Sequence, residues 1–457
     1  MTTRKPRGQE WCIRMAKVLY LVLHEFPKLS ETFILREIVE LHEHGHDVRV
    51  IALHESKLSM HHEEFNRLPR ESVIYLFGKN ASISKMKQAT HFISWFFRSR
   101  GGISLKKITR TILTPRFLGI PSNPARKIYD LMVLSKLINA FILLKRMGFI
   151  PNRIHAHFLG TSSKFAYYLE PAFNVPYSLT VHAVDIFTLP GNSISRRMIF
   201  QERKHILENA KEIIAISNYN KRFLRQHYDI DPGKIRIVHC GIKPLDFSMK
   251  REHEPIHPRE RGARTKKESR RSINILSVGR LIEKKGHLLS IEAMKTICNQ
   301  YPSLDIHFDI VGDGPQRENV LWTIKKHEME FITELHSNIT DQQLNELLAN
   351  ADIFILASKR APDGDMDGIP VSLMEAMASG VICISTRISG IPELIKDGVT
   401  GFLAIPDDVG SLVNKISQAI EAIDEWSTIC QAARNHIEQH FNIGKEAIKL
   451  VNGFERD

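Results

Sequence analysis

Residues 351–385 carry, in order, Ala351-Asp352-Ile353-Phe354-Ile355-Leu356, then Asp367-Gly368-Ile369-Pro370-Val371-Ser372-Leu373-Met374-Glu375-Ala376-Met377-Ala378-Ser379-Gly380, then Val381-Ile382-Cys383-Ile384-Ser385. The outer runs are short, apolar and rich in β-branched residues, as buried strands are. The middle stretch reads as a helix, with Pro370 suited to the first turn and Gly380 to the end. Strand, helix, strand is the repeating unit of an open α/β sheet. The helix also has a chemical use. Its N-terminus offers unpaired N–H groups and the positive end of a dipole, which together can seat a phosphate. Asp367 before the helix and Glu375 in its second turn can accept hydrogen bonds from hydroxyl groups flanking that phosphate. The alternative is an ordinary helix whose leading acid is stabilised by the dipole.

The same alternation extends both ways. Towards the N-terminus of this half, residues 273–278 and 305–311 read as strands. In the first half, strands are expected at 17–23, 48–53, 153–158, 177–182, 212–217 and 235–238, and Ile34, Ile38 and Leu41 set a helix over 32–44 that stops at Gly45. Periodicity disappears between Lys250 and Arg271, a charged, Pro-containing stretch that marks a boundary. The expectation is α/β: two doubly wound Rossmann-like units, 1–247 and 272–432, joined by a connector over 248–271 and facing each other across a cleft. Ligands in such folds bind outside the carboxyl ends of the strands. One such end carries Gly279-Arg280-Leu281-Ile282-Glu283-Lys284-Lys285-Gly286, where Arg280 as a fork and Lys285 as a point charge can grip a diphosphate. A solvated basic loop is the alternative.

The chain has 457 residues, enough for roughly two to three domains. Apolar residues at 43% and charged residues at 25% exclude a mainly disordered, collagenous or multi-spanning chain. Five scattered cysteines without a C-x-x-C pair argue against a disulfide framework or a structural zinc site and point to a reducing compartment. Net charge is +12, and residues 81–150 hold thirteen Lys/Arg against one acid, Asp130. Within that block His91-Phe92-Ile93-Ser94-Trp95-Phe96-Phe97-Arg98-Ser99-Arg100 sets aromatic residues beside Arg, a texture that suits an anionic membrane surface. A solvated helix face is the alternative. Nucleic acid is not an expected partner, because no recognisable nucleic-acid module accompanies the block.

No stretch reaches the ~20 apolar residues of a bilayer span, since 131–144 is broken by Lys136 and Asn139. The run 17–23 superficially matches a signal peptide, but His24-Glu25-Phe26-Pro27 follows where small residues would be needed. The expected location is cytoplasmic, peripheral on the inner face of the plasma membrane. Asp363-Gly364-Asp365-Met366-Asp367-Gly368 begins like a calcium loop, yet Met374 stands where the bidentate Glu belongs and Pro370 interrupts it. Gly312-x-Gly314 lacks the third glycine of a dinucleotide fingerprint. His155 and His157 share a strand face without an evident third ligand, which favours packing or cleft lining over a metal.

Ser277-Val278-Gly279-Arg280…Lys285-Gly286, Val311-Gly312-Asp313-Gly314-Pro315, the strand run through Ala357-Ser358, Asp367…Glu375 and Gly390-Ile391-Pro392-Glu393-Leu394-Ile395…Gly398…Gly401-Phe402-Leu403 occur in this order. As an ordered set they resemble family-4 glycosyltransferases of GT-B fold. Phe26-Pro27-Lys28-Leu29-Ser30-Glu31-Thr32-Phe33-Ile34 and His155-Ala156-His157-Phe158 resemble the branch that builds exopolysaccharides of the colanic-acid and amylovoran type. The resemblance implies a retaining transfer of a sugar from a nucleotide-sugar to a lipid-linked oligosaccharide, with neither cofactor nor bound metal. The two-sheet layout also sets aside the manganese-binding D-x-D motif of the other glycosyltransferase architecture.

The resemblance further implies site residues. Arg280 and Lys285 hold the diphosphate, Asp367 and Glu375 reach donor-sugar and ribose hydroxyls, and His182 faces the sugar. Gly279, Gly368, Ile369, Pro370 and Val371 complete the donor wall. Lys28 and Ser30 line the acceptor side, Ser30 also serving as a cap or turn residue. Residues 433–457 return to the first domain. Two departures stand out: Asp367 is one methylene shorter than the family's first glutamate, and the first turn, 26–30, lacks glycine. The rival readings are a nucleotide-sugar epimerase of similar layout and a non-catalytic assembly partner.

Overall fold

The computed structural model describes residues 15–28, 31–56, 63–77, 124–188, 194–249 and 272–454. The aromatic-basic run 91–100, the connector 250–271, Cys12 and Ser30 lie outside the described residues.

Two parallel sheets form the scaffold. The first contains β1 (Lys17–Phe26), β2 (Asp47–Glu55), β3 (Val73–Tyr75), β4 (Arg153–His157), β5 (Tyr177–Val181), β6 (Glu212–Ala215) and β7 (Ile235–Ile237), in the order β3-β2-β1-β4-β5-β6-β7. The second contains β8 (Ser272–Val278), β9 (Asp305–Val311), β10 (Thr333–His336), β11 (Ile353–Ile355), β12 (Ile382–Thr386) and β13 (Phe402–Ala404), in the order β10-β9-β8-β11-β12-β13. The strand at the switch of each order, β1 and β8, is flanked on both sides and buried on both faces. In β1 the run Val18 to Leu23 is continuously apolar or aromatic, as that position favours, whereas β8 keeps Asn274 and Ser277 among its apolar residues. Strands β3, β10 and β13 were not expected from the sequence. They are three or four residues long and lie at or beside sheet edges, too short to show a period.

Helix α1 (Thr32–Glu43) buries Ile34, Leu35, Ile38, Val39 and Leu41 and ends before Gly45, whose φ of +85° suits a residue without Cβ. Its N-cap position is held by Glu31. The helix Pro124–Arg146 contains the apolar stretch 131–144, which is core: Met132, Val133, Leu134, Leu137, Ile138 and Phe141 are buried. Among the described residues no helix is long and apolar enough to cross a membrane. Asp130, the lone acid of the basic block, is buried and paired with Lys164 at 2.7 Å.

The chain returns to the first sheet at its end. In the helix Ile443–Phe454, Ala447, Leu450, Val451 and Phe454 share one core cluster with Ile34, Leu35 and Ile38 of α1. Glu393 ties the two halves together. Its carboxylate accepts from the backbone N–H of Asn218 (2.8 Å) and of Tyr219 (3.0 Å), which open the helix Asn218–Tyr228 of the first half. Burial acts to raise this carboxyl, but the bonds from His239, Asn218 and Tyr219 outweigh it and hold the pKa at about 2. Glu393→Ala is expected to cost about 1–2 kcal/mol at neutral pH, the usual range for losing a helix cap. A depressed carboxyl contributes in full above its ordinary value and loses that contribution as pH falls towards the folded value. Urea titrations should therefore separate wild type from variant at pH 7 and converge on acidification. Equal midpoints at pH 7 would show that the clasp carries no stability.

Candidate active site

The carboxyl ends of both sheets open on one cleft of about 1810 Å³. The second sheet supplies the loop after β8 and the loop that leads into the helix Val371–Ala378. Gly286 closes the first of these at φ +66°, where an added Cβ would lie 1.8 Å from the Ala357 carbonyl oxygen. The turn is thereby pressed against the segment that follows β11 and leads to Asp367, and Lys285 reaches that acid. Lys285 Nζ stands 2.9 Å from Asp367 Oδ2, Lys284 Nζ stands 3.7 Å from Oδ1, and Ser358 Oγ donates to Oδ2 at 3.0 Å. Burial acts to raise the Asp367 carboxyl, yet Lys285 and then Lys284 outweigh it, leaving the pKa below its ordinary range. Arg280 and Gly279 line the same wall, Arg280 with an exposed side chain.

Glu375 meets a partner from the far side of the chain. Arg36 Nη1 of α1 lies 3.0 Å from Glu375 Oε1, while Arg36 Nε bonds Glu64 at 3.2 Å. Burial pushes the Glu375 carboxyl up, and the Arg36 guanidinium offsets only part of that rise. Gly368, Ile369 and Val371 line the cleft, whereas Pro370 is buried behind them. Pro370 is also the N-cap, one residue ahead of the first turn where it was expected, because its ψ of 127° is extended.

On the first sheet, His182 follows β5 and lines the cleft. Asp185 fixes its backbone by accepting from the His182 N–H at 2.9 Å and from the Leu159 N–H at 2.7 Å. Burial raises the Asp185 pKa to about 6 against the lowering effect of these bonds. The His182 ring lies 4.7 Å from the Phe33 ring and 4.5 Å from the Phe158 ring. Lys28 reaches the rim, where it pairs with Glu31.

The structure thus gathers His182, Arg280, Lys285, Asp367 and Glu375 around one cleft. It adds Arg36 to the cleft lining and Glu37 behind it, against His157; sequence analysis singled out neither. Their signal was a charged pair between the core positions Ile34 and Ile38. A carboxylate also joins the two strand histidines after all: the ligand atoms of Glu37, His155 and His157 lie within 4.8 Å of one another. Both nitrogens of His155, however, already face hydroxyls, Ser178 Oγ at 2.8 Å and Thr180 Oγ1 at 3.0 Å. In the string 363–368, Asp365 and Asp367 turn to Lys284 and Lys285 rather than towards a shared centre.

Chemically, the wall formed by Arg280, Lys284 and Lys285 can stabilise charge on a leaving phosphate. The two carboxylates beside it can accept from hydroxyls, and the opposite wall presents an imidazole. The family model "Glycosyltransferase Family 4" matches residues 83–244, and "Glycosyl transferases group 1" matches residues 259–436. The chain is 28% identical to the amylovoran biosynthesis glycosyltransferase AmsK of Erwinia amylovora over 92% of its length and 94% of that protein. It is 26% identical to a putative colanic acid biosynthesis glycosyltransferase, WcaL, of Salmonella typhimurium over 93% and 96%.

A third relative is the UDP-Gal:alpha-D-GlcNAc-diphosphoundecaprenol alpha-1,3-galactosyltransferase of Escherichia coli, 26% identical over 52% of this chain and 58% of that one. Among solved structures, the Anabaena protein Alr3699/HepE in complex with UDP-glucose superposes with a TM-score of 0.63 at 15% identity, covering 95% and 98%. The chain belongs to the family-4 glycosyltransferases of GT-B fold. Its relatives are transferases, which removes support from the epimerase and assembly-partner readings.

Proposed function

We propose that this glycosyltransferase moves a sugar, with retention of configuration, from a nucleotide-sugar to a lipid-linked oligosaccharide during cell-surface polysaccharide synthesis. One observation carries the reading: the Lys285–Asp367 pair, Glu375 with its partner Arg36, Arg280 and His182 all line one cleft. The donor diphosphate lies between Arg280, Lys285 and the start of the helix Val371–Ala378. Lys285 exchanges its Asp367 oxygen for phosphate, and Asp367 turns to a sugar hydroxyl. Glu375 leaves Arg36 for the ribose. As the bond between sugar and phosphate breaks, negative charge grows on the leaving diphosphate and the fixed cations stabilise it. They supply the charge that a divalent ion supplies in other transferases, so the reaction is proposed to run without one.

The similar proteins support the donor and acceptor classes, since one was solved in complex with UDP-glucose and another is named for a diphosphoundecaprenol acceptor. Calorimetric titration against UDP-, GDP- and ADP-sugars in excess EDTA tests the donor half. Selective binding of one donor is expected. Binding that appears only after Mn²⁺ is restored would overturn the metal-free reading.

The acceptor side is proposed to rest on an anionic membrane at the cytoplasmic face. Leu143, Met147 and Ile150 are exposed at the end of the helix Pro124–Arg146, beside exposed Lys145 and Arg146. Apolar residues set among cations are the composition of an interfacial contact. Replacing Lys145 and Arg146 by glutamate is expected to weaken sedimentation with phosphatidylglycerol-containing liposomes at low salt, by at least roughly thirtyfold in partitioning given ~1 kcal/mol for each of the two basic residues lost. Unchanged sedimentation would remove the membrane claim from this patch.

A further inference from the structure

Behind the first-sheet wall of the cleft, a carboxylate and two imidazoles form a row. Parallel register sets Tyr20 of β1 opposite His155 of β4, and His157 of β4 opposite Thr180 of β5, so these side chains share one face of the sheet. His182 continues that face two residues beyond Thr180, and Glu37 reaches down to it from α1. Tyr20 Oη lies 2.7 Å from Glu37 Oε1, and His157 Nε2 lies 3.0 Å from the same oxygen. The other nitrogen of that ring, His157 Nδ1, lies 3.1 Å from His182 Nε2. His155 stands 3.9 Å from Glu37 Oε1 and is occupied by Ser178 and Thr180, so the row runs Glu37–His157–His182 without a branch.

The proton positions along this row follow from donor and acceptor chemistry. A carboxylate only accepts, and a neutral imidazole has one N–H and one lone pair. With His157 as a neutral imidazole, the Tyr20 hydroxyl and the His157 Nε2–H both donate to Glu37. This leaves a lone pair on His157 Nδ1, which accepts from His182 Nε2–H. His182 Nδ1 is then without a proton. Burial, and after it the neighbouring His157, keep the His182 pKa well below its ordinary value, so the ring stays neutral. Phe33 and Phe158 pack against the ring. Among the described residues no hydrogen bond is made to His182 Nδ1, and His182 lines the cleft.

We propose that Glu37 and His157 are positioning residues that hold His182 in its Nε2–H tautomer, so that Nδ1 meets the bound sugar as a hydrogen-bond acceptor and selects a hydroxyl there. The selection rests on the nucleotide-sugar reading of the cleft, whereas the tautomer does not. An acceptor facing a hydroxyl tolerates neither hydrogen nor fluorine in its place, because neither can donate and the lone pair is left unpaired. A His182 that donated would tolerate fluorine.

The first test needs no donor. Long-range ¹H–¹⁵N correlation spectra of the full chain, labelled at histidine, are expected to show His182 with a protonated Nε2 and a bare Nδ1 at pH 7. Glu37→Ala and His157→Phe should each mix or invert this tautomer, while Glu37→Gln, whose amide oxygen can accept the same bond, should restore it. A wild-type His182 protonated at Nδ1, or a tautomer unmoved by both Glu37→Ala and His157→Phe, overturns the proposal.

The second test uses the deoxyfluoro analogues of the donor sugar. At one ring position fluorine should lower kcat/KM at least tenfold in wild type, and that penalty should shrink in His182→Ala. Equal turnover of every analogue, with the tautomer in place, overturns the hydroxyl selection. Failure of the parent donor itself to bind would instead be a failure of the nucleotide-sugar reading, and the donor-free spectrum is independent of it.

Discussion

Lys285→Ala is expected to lower kcat by ~10²–10³-fold while leaving the fold intact, the usual cost of removing one fixed charge from a site where charge develops. Lys285 sits on a turn whose backbone is set by Gly286 and not by the lysine side chain, so the truncation does not disturb the loop. What it removes is the nearest cation to Asp367, at 2.9 Å. Lys284 remains at 3.7 Å and Ser358 still donates at 3.0 Å, so Asp367 keeps partial compensation. The buried acid does complicate a single substitution, since an unpaired charge destabilises by itself. Asp367→Asn in the Lys285→Ala background removes that penalty. If the double variant recovers thermal stability yet stays slower than Asp367→Asn alone, the lysine acts on the reaction. Wild-type turnover in Lys285→Ala would remove the diphosphate assignment.

Glu375→Ala is expected to raise the KM for donor by roughly 10–100-fold, because a hydrogen bond to a charged group contributes about 1.5–3 kcal/mol. The same change leaves Arg36 with Glu64 alone, at 3.2 Å. Arg36→Ala separates the two effects. It breaks the 3.0 Å contact across the cleft without touching the carboxylate, so its KM effect should be smaller than that of Glu375→Ala. The two residues touch, so their effects should not add, and the double variant measures the coupling. A donor KM unchanged in Glu375→Ala would exclude this acid from ribose recognition.

The legible parts of this protein were those that leave a period or a fixed spacing. Strand β9 was read residue for residue at 305–311, where Ile306, Phe308 and Ile310 alternate with Asp305, His307 and Asp309 up to Gly312. The helix Val371–Ala378 was read within a residue because Pro370 and Gly380 bracket it. Strands β3 and β13 escaped because three residues cannot show alternation. Ser358 escaped for another reason. A serine beyond a strand resembles any other, and only the fold brings its hydroxyl to Asp367, nine positions on.

By itself the sequence determined the two α/β halves, the basic turn at 279–286 and the spacing of Asp367 and Glu375 along one helix start. These are local: hydrophobic period, turn chemistry and helix ends act over a few residues, and the residues themselves spell them. Tertiary structure alone decided which charges meet. Arg36 and Glu375 are 339 positions apart, and Glu37 reaches His157 across 120. On a helix surface an arginine bound for solvent and one bound for an acid across a cleft have the same pattern, because periodicity records burial and not partner. The order of strands in the two sheets brings α1 over the carboxyl ends of β4 and β5, and with it the groups that set His182 and hold Glu375.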